Sequence, residues 1–250
     1  MKKSVRLVVV ALASLALVGV GAHAAEPKKA GQPKRAARAP EDPSVAAPKR
    51  GTAEKGFLAK HESFLKRAKE GNIDLLFLGD SITEGWKNAP EVWKKYYEPL
   101  HPANFGIGGD RTQHVLWRIA NGELDGISPK VVVQMLGTNN VGDNTAESIA
   151  KADAKIVRTI RENLSKTKVL LLAVFPRTGA ERMEKIKAIN AELAKLDDGK
   201  TVRYLDIGPK FLDAEGNIPK DIMPDGLHPN AKGYQIWADA MQPLLDEMMK

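Results

Sequence analysis

Three polar residues stand at places along the chain where they could carry out acyl transfer. Ser81 follows a short apolar run that ends in a glycine, and Asp225 and His228 lie three positions apart in a stretch with proline and glycine. Nucleophilic hydrolysis of an acyl group uses a hydroxyl as nucleophile, an imidazole as base and a carboxylate that orients the imidazole. The sequence therefore predicts Ser81 as nucleophile, His228 as general base and Asp225 as its orienting carboxylate.

The same chemistry needs hydrogen-bond donors directed at the oxyanion that forms during attack. Two short stretches could supply them, "GIGGD" at 106–110 and "GTNN" at 137–140. We expect an oxyanion hole made of the Ser81 N–H, the Gly109 N–H and the Asn139 side-chain amide, since glycine permits close approach of its backbone. No metal or other cofactor is expected, because the chain has no cysteine and its five histidines show no metal-ligand spacing.

A sheet whose strand ends lie side by side would bring these distant segments together. Nearly continuous apolar runs, which are typical of strands covered on both faces, predict strands over 73–78, 103–107, 131–136, 169–175 and 202–207. Stretches of helical length lie near 57–70, 90–98, 111–121, 145–164 and 180–196. This alternation predicts an α/β sandwich with a parallel sheet, in which ligands bind at the carboxyl ends of the strands.

Some polar residues near these segments are expected to have structural roles. A last helix over 231–249 should begin at Asn230 as its N-cap, with Pro243 as a kink. Asp80, beside the predicted nucleophile, is expected to accept hydrogen bonds from loop N–H groups and so hold the turn. His114 lies in a helical pattern and is expected on the helix surface or at the edge of a pocket.

Four blocks of the sequence resemble those of the SGNH, or GDSL-type, esterase and lipase superfamily. They read "FLGDSITEGW", "NFGIGGDRTQHVLWRIANGEL", "VVVQMLGTNN" and "DGLHPNAKGY", and the resemblance covers about residues 57–245. The second block and its continuation are most similar to the catalytic subunits of platelet-activating-factor acetylhydrolases and their bacterial relatives. The resemblance implies a three-layer α/β/α sandwich with a flavodoxin-like, five-stranded parallel sheet and a serine esterase activity. By position, it assigns the triad and oxyanion hole to Ser81, Asp225, His228, Gly109 and Asn139.

Two departures from that pattern bear on function. The first block has Ile82 where the family motif has leucine, a volume-conserving exchange of small expected effect. The intracellular animal enzymes lack an export signal, whereas a signal peptide is predicted for this sequence, and this difference leaves the substrate open. Other patterns do not fit, because Thr83 stands where the α/β-hydrolase motif G-x-S-x-G requires glycine and no Gly-Lys-Ser/Thr follows the first strand.

The first 50 residues differ from the rest in composition. Three basic residues among the first six precede an apolar stretch over 7–20 and the triplet Ala22-His23-Ala24, which predicts a signal peptide over 1–24. An uncleaved membrane anchor is the alternative, although the apolar stretch is short for a span. Residues 25–50 are rich in Pro, Ala, Lys and Arg with little to bury, so we expect a disordered linker there and a catalytic domain over 51–250.

The charge distribution limits the possible partners. The formal net charge is +7, of which +3 lies in residues 1–24 and +4 in residues 25–50, so the predicted domain is about neutral. No nucleic-acid partner is expected, because the basic excess does not lie on a folded face. After cleavage of the signal peptide no transmembrane segment is expected, and export would place the protein in the periplasm or outside the cell.

The expected substrate is a small acyl ester, most simply an acetyl ester, on a carbohydrate or a lipid. Export slightly favours O-acetyl groups on carbohydrate, whereas the acetylhydrolase resemblance favours a phospholipid acetylhydrolase or lysophospholipase. A non-catalytic glycan- or lipid-binding module on the same fold is a further alternative. The sequence leaves open the alcohol part of the substrate, the acyl-length limit and the oligomeric state.

Overall fold

A five-stranded sheet runs through the centre of residues 41–250, the part of the chain that the computed structural model describes. Its strands are β1 Leu75–Gly79, β2 Pro102–Gly106, β3 Val131–Met135, β4 Lys168–Leu172 and β5 Val202–Leu205. The order across the sheet is β2-β1-β3-β4-β5, and every neighbouring pair is parallel. This is the flavodoxin-like strand order.

Helices connect the strands and cover both faces of the sheet. They are α1 Glu54–Glu70, α2 Ser81–Glu84, α3 Pro90–Tyr96, α4 Thr112–Ala120, α5 Ala146–Asn163, α6 Ala180–Leu193 and α7 Ala231–Met249. Short 3₁₀ helices lie at Gly51–Ala53, Gly85–Asn88, Glu98–Leu100, Ala194–Leu196 and Gly208–Phe211. The elements expected from the sequence are thus present, with boundaries that differ by up to three residues.

Alternate side chains of β1, β3 and β4 enter two separate hydrophobic cores. In β1, Leu76 and Leu78 pack with residues of α1, α4, α5 and α6. Leu75 and Phe77 face the other way and pack with Trp86 and with α7. Because a strand alternates its side chains, a strand buried on both faces needs apolar residues on each face, which is why the runs are nearly continuous. The predicted α/β/α sandwich with a five-stranded parallel sheet is confirmed.

Helices α5 and α7, which follow the loops at 137–144 and 221–230, each begin at a side-chain N-cap. Thr145 accepts a hydrogen bond from the Ser148 N–H at the start of α5. Asn230 accepts one from the Gly233 N–H at the start of α7, which confirms it as the predicted N-cap. Pro243 lies inside α7 and does not end it.

Residues 41–50, named here the N-terminal strap, lie against the folded unit and correct the expected linker. The Pro43 carbonyl accepts a hydrogen bond from Thr112 Oγ1 at 2.9 Å, and the Ala47 N–H donates to the Gln113 carbonyl at 3.1 Å. The Lys155 ammonium donates to the Ser44 carbonyl at 2.9 Å. Composition predicted disorder because the strap has few side chains to bury, but its backbone polar groups are satisfied by residues distant in sequence.

The predicted signal peptide over residues 1–24 and the start of the predicted linker lie outside the described residues. Within residues 41–250, none of the helices combines the length and the apolarity that crossing a bilayer requires. The charges of the strap cancel, since Glu41 and Asp42 balance Lys49 and Arg50. Including the strap therefore leaves the folded unit about neutral.

Candidate active site

The carboxyl ends of β1, β2 and β3 lie at the same level of the sheet. Gly79, the last residue of β1, pairs with Gly106 of β2 on one side and with Met135 of β3 on the other. The segments that follow these three strands therefore leave the sheet side by side. They are the three segments in which the sequence predicts the nucleophile and the oxyanion hole.

Ser81 is the first residue of α2, directly after the turn that leaves β1. A Cβ on Gly79 would lie 2.1 Å from Thr83 Oγ1 and 2.5 Å from the Met135 carbonyl oxygen, so only glycine fits there. Asp80 accepts a hydrogen bond from the Ile82 N–H at 2.9 Å and caps the short helix. The predicted turn-holding role of Asp80 is confirmed.

Several side chains fix α2 in place. The buried Tyr234 hydroxyl of α7 donates to the Ile82 carbonyl at 2.7 Å. The Asn104 amide of β2 donates to the Thr83 carbonyl at 2.8 Å. A Cβ on Gly106 would lie only 2.3 Å from the Glu84 backbone nitrogen, so β2 and α2 approach as closely as glycine permits. Ser81 therefore stands on a short helix clamped from two sides.

Ser81, His228 and Asp225 form one hydrogen-bonded chain. Ser81 Oγ lies 2.9 Å from His228 Nε2, and His228 Nδ1 lies 2.6 Å from Asp225 Oδ2. A carboxylate only accepts hydrogen bonds, so Nδ1 carries the imidazole proton and Nε2 is left to accept from the serine. The structure thus brings together the three residues that the sequence predicts as a triad.

The Asp225 carboxylate is held by its own loop. Asp225 Oδ1 accepts hydrogen bonds from the Leu227 N–H at 3.0 Å and the His228 N–H at 2.7 Å. Partial burial acts to raise the pKa of this carboxyl, but the hydrogen bonds from the His228 ring, the His228 N–H and the Leu227 N–H outweigh it and lower the pKa. Asp225 is therefore ionised at neutral pH and accepts at both oxygens.

The loop after β2, residues 107–110, runs next to Ser81 and is named here the oxyanion loop after the role predicted for it. A Cβ on Gly108 would lie 3.8 Å from Ser81 Cβ. Gly109 has a φ of +73°, a conformation that favours glycine, and its N–H donates to no protein acceptor among residues 41–250. The Ser81 N–H, at the first position of α2, likewise has no intrahelical partner. Both donors are available to a ligand.

The Asn139 amide lies between the oxyanion loop and the turn after β1. Asn139 Nδ2 donates to the Asp110 carbonyl at 2.8 Å and lies 3.4 Å from Asp80 Oδ2. These contacts tie the loop after β3 to the loops after β2 and β1. The third predicted donor is thus in the same cluster as Ser81 and Gly109.

Comparisons with known proteins identify the family of this chain. A model of the GDSL-like lipase/acylhydrolase family matches residues 77–236, which contain all of the residues named above as triad and donors. The chain belongs to this family. It is a carboxylic ester hydrolase, as the sequence predicts, and the family resemblance inferred from its four blocks is confirmed.

Curated relatives of this GDSL-like hydrolase carry a more specific name. This chain is 37% identical over 199 residues to the platelet-activating factor acetylhydrolase IB subunit alpha2 of Gallus gallus, and the alignment covers 78% of this chain and 85% of that protein. It is 36% identical over 192 residues to the corresponding alpha1 subunit of Homo sapiens, with coverages of 76% and 82%.

Solved structures share the fold at lower identity. A GDSL-like lipase from Bacteroides thetaiotaomicron aligns with a TM-score of 0.60 at 23% identity, covering 77% of this chain and 97% of that one. A member of the lipolytic G-D-S-L family from Veillonella parvula aligns with a TM-score of 0.59 at 19% identity, with coverages of 70% and 98%. These likenesses support the fold of the GDSL-like hydrolase.

Near Ser81 of this GDSL-like hydrolase lies a cluster of buried charges. Complete burial raises the pKa of Asp80 to about 7, and the nearby Asp110 carboxylate acts in the same direction. Arg118, fully buried, pairs with Asp110 at 3.0 Å and with Glu123, whose pKa burial raises to about 7. Lys49 of the strap pairs with the other oxygen of Asp110 at 2.9 Å.

The structure adds residues that the sequence did not single out. Lys49, Arg177 and Tyr234 each bond a loop or helix of the site, and Arg177 does so through the Thr138 carbonyl at 2.8 Å. No local pattern marks them, because each acts on a segment distant in sequence. His114 is buried and does not lie on the helix surface. Its Nδ1 accepts a hydrogen bond from the Arg111 N–H at the start of α4.

Proposed function

We propose that this chain is an exported serine esterase that hydrolyses short-chain acyl esters, most simply acetyl esters. The hydrogen-bonded chain from Ser81 Oγ through His228 to Asp225 carries this proposal. A hydroxyl 2.9 Å from an imidazole nitrogen, with a carboxylate 2.6 Å from the other nitrogen, is the arrangement that activates a serine for attack on a carbonyl.

The proposed reaction has two halves. Ser81 Oγ attacks the ester carbonyl while His228 Nε2 takes its proton, and Asp225 stabilises the imidazolium that forms. The proton then passes to the leaving alcohol, and an acyl-Ser81 ester remains. Water adds to this ester with His228 again as base, which releases the carboxylic acid and restores the serine.

The proposed oxyanion hole consists of the Ser81 N–H, the Gly109 N–H and the Asn139 amide. Among residues 41–250 the Ser81 and Gly109 N–H groups have no protein acceptor, whereas the Asn139 amide is held beside the same loop by its hydrogen bond to the Asp110 carbonyl. Donors fixed before the reaction stabilise the developing charge without reorganisation. The three proposed donors follow the ends of adjacent strands, which fixes them before the reaction. This supports a site that catalyses acyl transfer over one that only binds an ester.

The alcohol part of the substrate can be large in this arrangement. The His228 and Asp225 side chains are 42% and 55% exposed, so the leaving-group side of the site opens to solvent. Such a site could accept an acetyl ester of a carbohydrate or of a phospholipid.

Two observations favour different alcohols. The predicted signal peptide favours acetylated carbohydrate in the periplasm or outside the cell, and we keep this as the first candidate. The relatives named platelet-activating factor acetylhydrolase favour an acetylated phospholipid. Turnover of acetylated oligosaccharides, set against an acetylated glycerophospholipid and its long-acyl analogue at equal ester concentration, distinguishes the two.

The test of the mechanism is the Ser81→Ala variant assayed on p-nitrophenyl acetate. We expect kcat/KM to fall by about three or more powers of ten with unchanged thermal unfolding, because the variant keeps the oxyanion donors but loses the nucleophile. Ser63→Ala is the matched control, since Ser63 is exposed on α1 and its hydroxyl donates to the Lys60 carbonyl of the same helix. A fluorophosphonate should label Ser81 alone. Near-normal activity of a folded Ser81→Ala protein would contradict the mechanism.

A further inference from the structure

The Lys49 ammonium of the N-terminal strap lies directly behind the oxyanion loop. Lys49 Nζ donates to the Gly108 carbonyl at 2.6 Å and pairs with Asp110 Oδ1 at 2.9 Å. It would lie 3.7 Å from a Cβ placed on Gly109. The lysine therefore contacts the loop at Gly108 and Asp110, the residues on either side of the proposed backbone donor.

The bond to the Gly108 carbonyl acts on the donor itself. The Gly108 C=O and the Gly109 N–H belong to one planar peptide group, and in a trans peptide they point in opposite directions. An ammonium fixed on the carbonyl oxygen therefore fixes the direction of the N–H on the other side. It also polarises the group, since hydrogen bonds in series strengthen one another by about 10–30% each.

Nothing else among residues 41–250 holds this peptide from that side. The Gly108 N–H, which belongs to the preceding peptide, donates to Glu84 at 2.7 Å, and the Asp110 N–H donates to the Ile107 carbonyl at 3.0 Å. Two successive glycines make the loop intrinsically adaptable, so its direction depends on such contacts. Lys49 supplies the contact at the Gly108 carbonyl, which belongs to the same peptide group as the Gly109 N–H.

The Lys49 side chain is held in place by several contacts. Its side chain is 10% exposed, and the ammonium lies between the buried Asp110 carboxylate and the ring of Phe57, 5.7 Å from the ring centroid. Asp110 is in turn fixed by Arg118 at 3.0 Å. A charged group bonded to a buried carboxylate and to a carbonyl has little freedom to move away.

We propose that Lys49 is a positioning residue of the oxyanion hole, which orients and polarises the Gly108–Gly109 peptide so that the Gly109 N–H points at the developing oxyanion. This rests on the proposed serine-esterase function. The N-terminal strap is then part of the catalytic apparatus, although none of its residues touches the reacting atoms.

The test compares Lys49→Met with Lys49→Arg in the full chain. Methionine keeps the length of the side chain but donates no hydrogen bond, so kcat on p-nitrophenyl acetate should fall about tenfold with little change in KM, a part of the loss expected for removing a whole donor. The rate of phosphonylation by a fluorophosphonate should fall by the same factor. Lys49→Arg keeps a cationic donor and should recover most of the rate.

Lys155→Met is the matched control. It removes a lysine that bonds the strap at the Ser44 carbonyl but has no contact with the oxyanion loop. If the strap acts only by stabilising the fold, both methionine variants should lower the unfolding temperature and leave kcat of the folded protein unchanged. That result, or an effect of Lys49→Met on KM alone, would overturn the proposal.

Two comparisons keep the outcomes separate. An inactive Ser81→Ala with normal kcat in Lys49→Met would refute the role of Lys49 but not the esterase mechanism, whereas an active Ser81→Ala would refute the mechanism itself. If Lys49→Met does not fold because Asp110 loses a partner, the double variant Lys49→Met/Asp110→Asn is compared with Asp110→Asn alone. A tenfold lower kcat in the double variant supports the proposal, and equal kcat overturns it.

Discussion

Replacing Asp225 by asparagine should leave the triad in place but reverse its hydrogen bonding. Asp225 Oδ1 accepts two backbone N–H groups, from Leu227 and His228, so the oxygen of an asparagine amide is held on that side. Its NH₂ group then faces His228 Nδ1, which must accept. The imidazole proton moves to Nε2, where it faces the Ser81 oxygen as a donor and cannot take the serine proton.

The size of the effect follows from this reversal. We expect kcat/KM to fall by roughly 10⁴-fold, or ~5.5 kcal/mol of transition-state stabilisation, the order found when a triad histidine is held in the wrong tautomer. The free energy of unfolding should change by less than ~1 kcal/mol, because Asp225 is more than half exposed and both backbone hydrogen bonds remain.

The assay is hydrolysis of p-nitrophenyl acetate between about pH 5 and pH 9, with thermal unfolding measured on the same samples. Asp221→Asn is the matched control, because this exposed carboxylate pairs with Lys232 and touches none of the triad. A loss of less than tenfold in a folded Asp225→Asn protein would refute the tautomer argument. An equal loss in Asp221→Asn would point to a general effect of charge.

Two further perturbations test the remaining parts of the site. Asn139→Ala should lower kcat by about two to three powers of ten with a smaller change in KM, because its amide meets charge that exists mainly in the transition state; a change in KM alone would contradict this. Burial raises the pKa of Asp80 from 3.8 to about 7, so the folded state holds its proton longer than the unfolded state. The contribution of Asp80 to stability should therefore be complete below about pH 4 and fall by ~2–4 kcal/mol as pH rises to about 7. Relative to the wild type, Asp80→Asn should gain stability by that amount in urea unfolding between these pH values, and a constant difference would refute the shift.

The strands could be predicted because burial on both faces leaves a direct trace in the sequence. Val131–Met135 is such a strand, in which every residue is buried and four of the five are apolar. The strand predicted over 169–175 is wrong only at its end. Ala173, Val174 and Phe175 are buried but follow Leu172, the last residue of β4. Hydrophobicity reports burial, and burial continues where the chain leaves the sheet.

The N-terminal strap could not be predicted because its order has no local cause. Pro43 is buried and its carbonyl is bonded by Thr112, 69 positions away, and Lys49 is fixed by groups about 60 positions away. A stretch of proline, alanine and lysine carries no periodic pattern that reports such contacts. Backbone groups bonded to distant side chains can order a segment that composition alone assigns to a linker.

The two halves of the site differ in how they are held. Ser81 and the proposed donors directly follow strand ends and lie next to buried ion pairs. His228 and Asp225 lie on an exposed loop, which is held by the Thr178 N–H bond to the Gly226 carbonyl and by the Asn230 cap of α7. Local opening costs only the contacts of the segment that opens, so the exposure of His228 and Asp225 makes their loop the part of the site that we expect to be most sensitive to substitution. We therefore expect substitutions around Gly226, which displace the proposed base and its carboxylate, to lower kcat of the folded protein more than they lower its unfolding temperature.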